Sequence, residues 1–206
     1  MLRALFTFLF FLAGACSPGN NHDSSDLVHD DTSDDISVNA DDPLNQLPPE
    51  INWNICGSDT DAHACNIMAL DHIGQPFNMY MLYGKSIVLD FSTMWCGPCN
   101  SAAVHAQEVQ DSYRNAGLVY ITVLIENLYG ESPSSDDVQD WVNHYGITDS
   151  PVIAGNRGWL QSSGGDWAVT GWPTFYYIDK EMVIRDIDRG YNEQEVIFSI
   201  EWLIGL

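Results

Sequence analysis

Positive charge is scarce in this chain: 206 residues carry 7 Lys and Arg against 29 Asp and Glu, a formal net charge of −22. Such a chain is repelled by nucleic acid and by anionic membrane surfaces, so neither is expected as a partner, and neutral or basic partners are favoured. Salt screens these fields within about 8 Å, so the charge narrows the partners without naming one. Long hydrophobic runs are also missing. The apolar stretch from Ala4 to Ala13 is too short to cross a bilayer, which takes about 20 residues. No internal repeat is visible. Cysteine is limited to five residues, and the C-x-x-C at Cys96 and Cys99 has neither a second C-x-x-C nor an H-x-x-x-H to accompany it. A zinc site would therefore lack two of its usual four ligands, and no metal is expected.

The amino-terminal residues 1–15 have the layout of an export signal, with Arg3 ahead of the short apolar run. The protein is accordingly expected outside the cytoplasm. Leu12-Ala13-Gly14-Ala15-Cys16 resembles a bacterial lipobox, whose Cys becomes the lipidated first residue. Ala13-x-Ala15 also suits ordinary signal peptidase, which would leave Cys16 unlipidated; lipidation is the favoured reading. Residues 16–50 then form an acidic spacer. Between Ser17 and Glu50 there are nine acidic residues and no Lys or Arg, too little apolar surface to offset chain entropy, so a disordered linker is expected. The Asp cluster lacks the loop glycine and spaced ligands of an EF-hand. The reading is thus a domain over residues 51–206, tethered to a membrane through Cys16 and held off it by a charged linker.

With Cys16 carrying lipid, four cysteines remain, and they allow three pairings. The motif pairs Cys96 with Cys99, which leaves Cys56 with Cys65 across a polar loop. That second bridge reads as structural, worth about 2.5 to 3 kcal/mol on the chain-entropy model. Its rivals are a second redox pair, or a soft-metal site of His63, Cys65 and Met68.

From Lys85 onward the pattern alternates strand and helix. Ser86 to Phe91 and Leu118 to Ile125 are short apolar runs of the buried-strand kind. Between them, Ala102, Ala106, Val109 and Tyr113 fall at helical spacing. Ser134 or Ser135 caps a helix through Trp141 to Tyr145. Thr174 to Ile178 and Met182 to Ile187 read as strands around a hairpin turn at Asp179-Lys180-Glu181. Glu193 to Leu203 closes the chain as a helix with Val196, Ile197, Ile200 and Leu203 inward. This order implies an α/β protein with a mixed sheet flanked by helices.

The chemistry concentrates in Trp95-Cys96-Gly97-Pro98-Cys99. A C-x-x-C pair closes a disulfide across one helical turn, and a helix N-terminus stabilises the attacking thiolate. Together with Asp90, Phe91 and Trp172-Pro173-Thr174, this pentapeptide resembles the thioredoxin fold. Gly74-Gln75-Pro76-Phe77, Gly84-Lys85 and Pro173 to Asp179 are similar to the membrane-tethered branch of TlpA and ResA proteins. The resemblance covers about residues 70 to 206.

That resemblance implies a thiol–disulfide oxidoreductase with no cofactor beyond its own redox-active disulfide. Cys96 is the implied nucleophile and Cys99 the resolving thiol. Asp90 matches the buried acid that moves the inner cysteine's proton, which calls for a carboxyl of raised pKa. Pro173 matches the cis-proline beside the cysteines, where an extended substrate strand pairs with the Trp172 backbone. Trp95, Gly97, Pro98, Trp172 and Thr174 complete the implied substrate groove. Expected partners are cysteine-containing extracytoplasmic proteins, kept reduced with electrons from a membrane thiol donor. Trp172, Val104 and Ala102 depart from residues frequent in relatives, so no particular client is implied. Two alternatives remain. A copper-binding lipoprotein would use the two thiolates as soft ligands. A peroxidase is suggested by Thr93-x-x-Cys96, though Leu89 replaces the proline of peroxiredoxins.

Overall fold

The computed structural model describes residues 47–206. The expected signal segment, Cys16 and nearly all of the acidic spacer lie outside the described residues. Five strands form one mixed sheet: β3 (Ser86–Thr93), β4 (Leu118–Glu126), β5 (Val152–Ala154), β6 (Thr174–Ile178) and β7 (Ile184–Arg189), in the order β5-β4-β3-β6-β7. A separate hairpin pairs β1 (Met68–Leu70) with β2 (Pro76–Asn78). Strand β3 runs parallel to β4 and antiparallel to β6. It is buried at all eight positions, because both faces of the sheet are covered; this is why the strand reads as a continuous apolar run.

Helices α1 (Gly97–Tyr113) and α2 (Ser135–Tyr145) are the crossovers β3-α1-β4 and β4-α2-β5. Both crossovers advance in the same direction across the sheet, so the right-handed rule puts both helices on one face. The closing helix α3 (Glu193–Ile204) joins them. Ala102, Ala106, Trp141, Val196 and Ile200 from the three helices share one buried cluster with Val88, Tyr120 and Phe175 of the sheet. Tyr113, Ile197 and Leu203 pack at its margin. The opposite face, carrying Ile87, Leu89, Phe91, Ile121 and Tyr176, is covered by the segment before β3 and the loop around Leu160, Trp167 and Val169.

Local signals explain the element ends. Ser134 caps α2 and shares a capping box with Asp137, and Gly146 ends the helix at φ 66°. At the hairpin, β7 begins two residues later than its sequence suggests. Asp179 accepts the N–H groups of Glu181 and Val183, which extends the turn, and Met182 sits in it at φ 60° with a fully buried side chain. Apolar anchoring of a turn residue looks like strand patterning in sequence. Cys56 and Cys65 are joined by a disulfide with a Cα–Cα distance of 4.8 Å. Cys65 therefore offers no thiolate to a metal, and His63 lies stacked on Trp53 at 3.9 Å.

Candidate active site

Strand β3 ends at Thr93 and α1 starts at Gly97, so Trp95 and Cys96 occupy the turn at the sheet's C-terminal edge. Cys96 is the helix N-cap. Its Sγ accepts the Cys99 N–H at 3.2 Å, and Pro98 stands in the first turn, where its missing N–H costs no helical bond. Cys96 and Cys99 are bridged, with Cα atoms 5.2 Å apart. The bridge sits under cover: Cys96 is 5% and Cys99 1% exposed, whereas Trp95 is 47% exposed. Gly97 and Pro98 are exposed beside it. A thiolate at Cys96 would meet the free N–H groups and positive dipole end of α1.

Below the cysteines, strand alternation turns Asp90 toward the α1 face, in step with Val88 and opposite to Leu89 and Phe91. Its carboxyl is 1% exposed. Ser92 donates to Oδ1 at 2.6 Å and the Tyr120 hydroxyl to Oδ2 at 3.0 Å. Burial pushes the Asp90 pKa up to about 7, and these two hydrogen bonds hold it from rising further. Burial, then the Asp90 charge, raises the Tyr120 phenol well above its ordinary value, so it remains a donor. Tyr191 is raised to about 12 by burial, with Glu193 and Asp90 contributing. Asp90 is thus a carboxyl that gains and loses its proton near neutrality, in the same buried layer as Cys99.

The Trp172–Pro173 peptide bond is cis. Half-buried Trp172 packs against the cluster containing Cys96 and Cys99 and also against the cluster on the other face. Thr174 is placed differently from the implied groove residue. It is fully buried, and its hydroxyl donates to the Gly171 carbonyl at 2.8 Å, so the side chain braces the loop from beneath. It opens β6, which lies between β3 and β7, with its side chain turned into the core.

Two residues at this site escaped sequence reasoning. Glu126, at the end of β4, is buried, accepts the Trp95 indole N–H at 2.8 Å and is ion-paired with Arg157. It clamps the exposed tryptophan beside Cys96. A lone Glu closing an apolar strand was the available signal, but Arg157 lies 31 residues away and only the fold brings it near. Tyr120 was hidden among core aromatics, since its pairing with Asp90 depends on strand register. Among the described residues no three His, Cys, Asp or Glu side chains are grouped as metal donors, and no helix is long and apolar enough to cross a membrane.

With this geometry in place, the relatives are informative. The model of the AhpC/TSA family matches residues 60–187, more than half of the chain, and the protein belongs to that family. The thioredoxin-like protein YneN of Bacillus subtilis is 26% identical over 117 residues, 57% of this chain and 64% of YneN. The thiol-disulfide oxidoreductase ResA of Bacillus anthracis is 28% identical over 119 residues, 57% of this chain and 62% of ResA. The chain spans less than two thirds of the length of these relatives. Among solved structures, the thioredoxin domain of a thiol-disulfide oxidoreductase from Bacteroides vulgatus superposes with a TM-score of 0.59 at 14% identity, covering 71% of this chain and 98% of that one. The fold is thioredoxin-like.

Proposed function

We propose that the protein is an exported thiol–disulfide oxidoreductase that reduces disulfides of extracytoplasmic proteins. One observation carries the reading: a C-x-x-C bridge at a helix N-terminus, in one buried layer with a carboxyl whose pKa is about 7. In the reduced protein, the Cys96 thiolate attacks one sulfur of a client disulfide. A mixed disulfide forms between Cys96 and the client, and the client's other sulfur leaves as a thiolate. Asp90 in its ionised form takes the Cys99 proton, and the Cys99 thiolate then attacks Cys96 Sγ. The Cys96–Cys99 disulfide closes and the second client thiol is released; two electrons have passed from the dithiol to the client. The Trp172 backbone, next to Pro173, offers an extended client strand an edge to pair with.

A membrane thiol donor regenerates the dithiol, and a lipid on Cys16 with the acidic spacer of residues 16–50 holds the domain near that donor. The reducing direction calls for a couple near the roughly −270 mV of thioredoxin rather than the −120 mV of a strong oxidant. Changing Cys99 to Ser in the native cell tests the reading. The variant is expected to accumulate reducible mixed disulfides through Cys96 with exported proteins, and their absence while Cys96 is free would sink it. The copper and peroxidase alternatives predict, in turn, stoichiometric copper lost on Cys96→Ser, and rapid turnover of peroxide by the reduced protein.

A further inference from the structure

A cleft of about 340 Å³ opens beside the redox bridge, between the active-site turn and α2. Its volume is at the small end of ligand pockets, which suits one long side chain rather than a cofactor. Met94, two residues before Cys96, and Asn100, next to Cys99, form one wall; Leu128 and Tyr145 add apolar surface, and Asp137 and Asp140 supply carboxylates. Leu128 is 63% exposed and the adjoining Tyr129 85%. The turn that presents them is fixed by buried Asn127, whose Oδ1 accepts the N–H groups of Tyr129 and Glu131. This apolar lip is therefore held out toward solvent beside the site by hydrogen bonding.

No Lys or Arg lines the cleft; its one basic lining residue is His144, set edge-on against Tyr145 at 4.6 Å, and no ion pair among the described residues involves Asp137, Asp140 or His144. Asp137 is held ionised, below the usual carboxylate range, by the Ser134 N–H and hydroxyl of the capping box. Two further polar atoms of lining residues are buried without a partner: Asn100 Oδ1, an acceptor, and Trp141 Nε1, a donor on a side chain 3% exposed. A ligand complementary to this set has an aliphatic stem, a positive head and both an N–H and a carbonyl to offer. A basic amino-acid residue has all four.

We propose that this cleft seats a lysine or arginine side chain of the client polypeptide, a few residues from the client cysteine under attack. The proposal rests on the dithiol-exchange reading and names its substrate class. The client chain crosses from the Pro173 side of the bridge to the α2 side, where the basic residue brings its backbone amide to Asn100 and Trp141 and its positive head to the carboxylates, so the cleft selects among disulfides by charge.

The test uses disulfide-linked peptide pairs identical except at one position, scanned from three residues before the cysteine to three after, with Lys, norleucine or Glu there. Reduction by the dithiol protein is followed as kcat/KM at low and high salt. Lys is expected to be favoured over norleucine by about 5-fold at one or two positions, and Glu disfavoured, with the preference shrinking at high salt. Asp140→Asn should weaken that preference and Asp140→Lys reverse it, while the norleucine peptide and hydroxyethyl disulfide react at unchanged rates. Equal rates for all three peptides at every position would overturn the cleft alone. No exchange with any peptide or with hydroxyethyl disulfide would overturn the exchange activity and the cleft's role together.

Discussion

The two faces of the sheet are built from neighbouring residues of the same strands, yet their chemistry differs. The face under the helices buries Asp90, Ser92, Tyr120 and the Cys96–Cys99 bridge among its apolar groups. The face under the loops is an aromatic and aliphatic layer in which Phe91, Trp167 and Tyr176 meet edge to face or tilted, with centroids 4.9 to 5.8 Å apart. Burial serves stability on the second face and, in the mechanism proposed, proton chemistry on the first. A carboxyl in a low-dielectric layer costs stability, and that cost is what brings its pKa to neutrality. The loop face, tied at one margin by the Cys56–Cys65 bridge, offsets it.

Separating those roles is a matter of mutation. Phe91→Ala, on the loop face, should cost the most stability, about 3 to 5 kcal/mol in urea denaturation, while exchange per folded molecule stays within a few-fold. A large loss of rate in the folded fraction would break the division between faces.

One position along, Asp90→Asn should do the reverse. The folded pKa of about 7 lies above the ordinary carboxylate value of 3.8, so the native carboxyl binds its proton more tightly than the unfolded one. The wild type therefore loses stability as pH rises from about 4 to 7 and no more above that, a total of about 4 kcal/mol. The variant should be the more stable protein at pH 8, with the difference vanishing near pH 4. Its exchange rate should fall by about 10- to 100-fold and lose the inflection near pH 7. Equal stability at both pH values would show that Asp90 is not a strained carboxyl.

Replacing both Cys56 and Cys65 by Ala should cost about 2.5 to 3 kcal/mol and leave exchange intact; loss of activity would make that bridge a second redox element. Arg157→Ala has the smallest expected effect, about 1 to 2 kcal/mol, by leaving the buried Glu126 carboxylate with Trp95 alone. A shift in Trp95 fluorescence and a modest change in client affinity would mark Glu126 as positioning the tryptophan.

From Lys85 onward, residue order alone carried the three α-helices and strands β3, β4, β6 and β7, because each has its own periodicity and its own cap or turn; β5, three residues long, is too short to show a period and escaped it. Ala102, Ala106 and Val109 lie at helical spacing whatever the sheet does, and Ser134 caps α2 by a bond within three residues. The redox pair was equally legible, since Cys96 and Cys99 are neighbours on one turn. Thr174 was misplaced and Met182 taken into a strand because burial, not local pattern, decides what each side chain does.

What the sequence determined by itself is therefore local: the C-x-x-C at a helix start, the caps, the polar loop between Cys56 and Cys65, the shortage of positive charge. What only the tertiary structure decided is every interaction between distant segments. Tyr120 reaches Asp90 across 30 positions, Glu126 joins Trp95 to Arg157 across 31 on either side, and the acidic cleft forms where α2 passes the active-site turn. Spacing encodes contacts a turn apart. Contacts between segments depend on strand register and on which face a crossover helix takes, and those are fixed by the packing of the whole core.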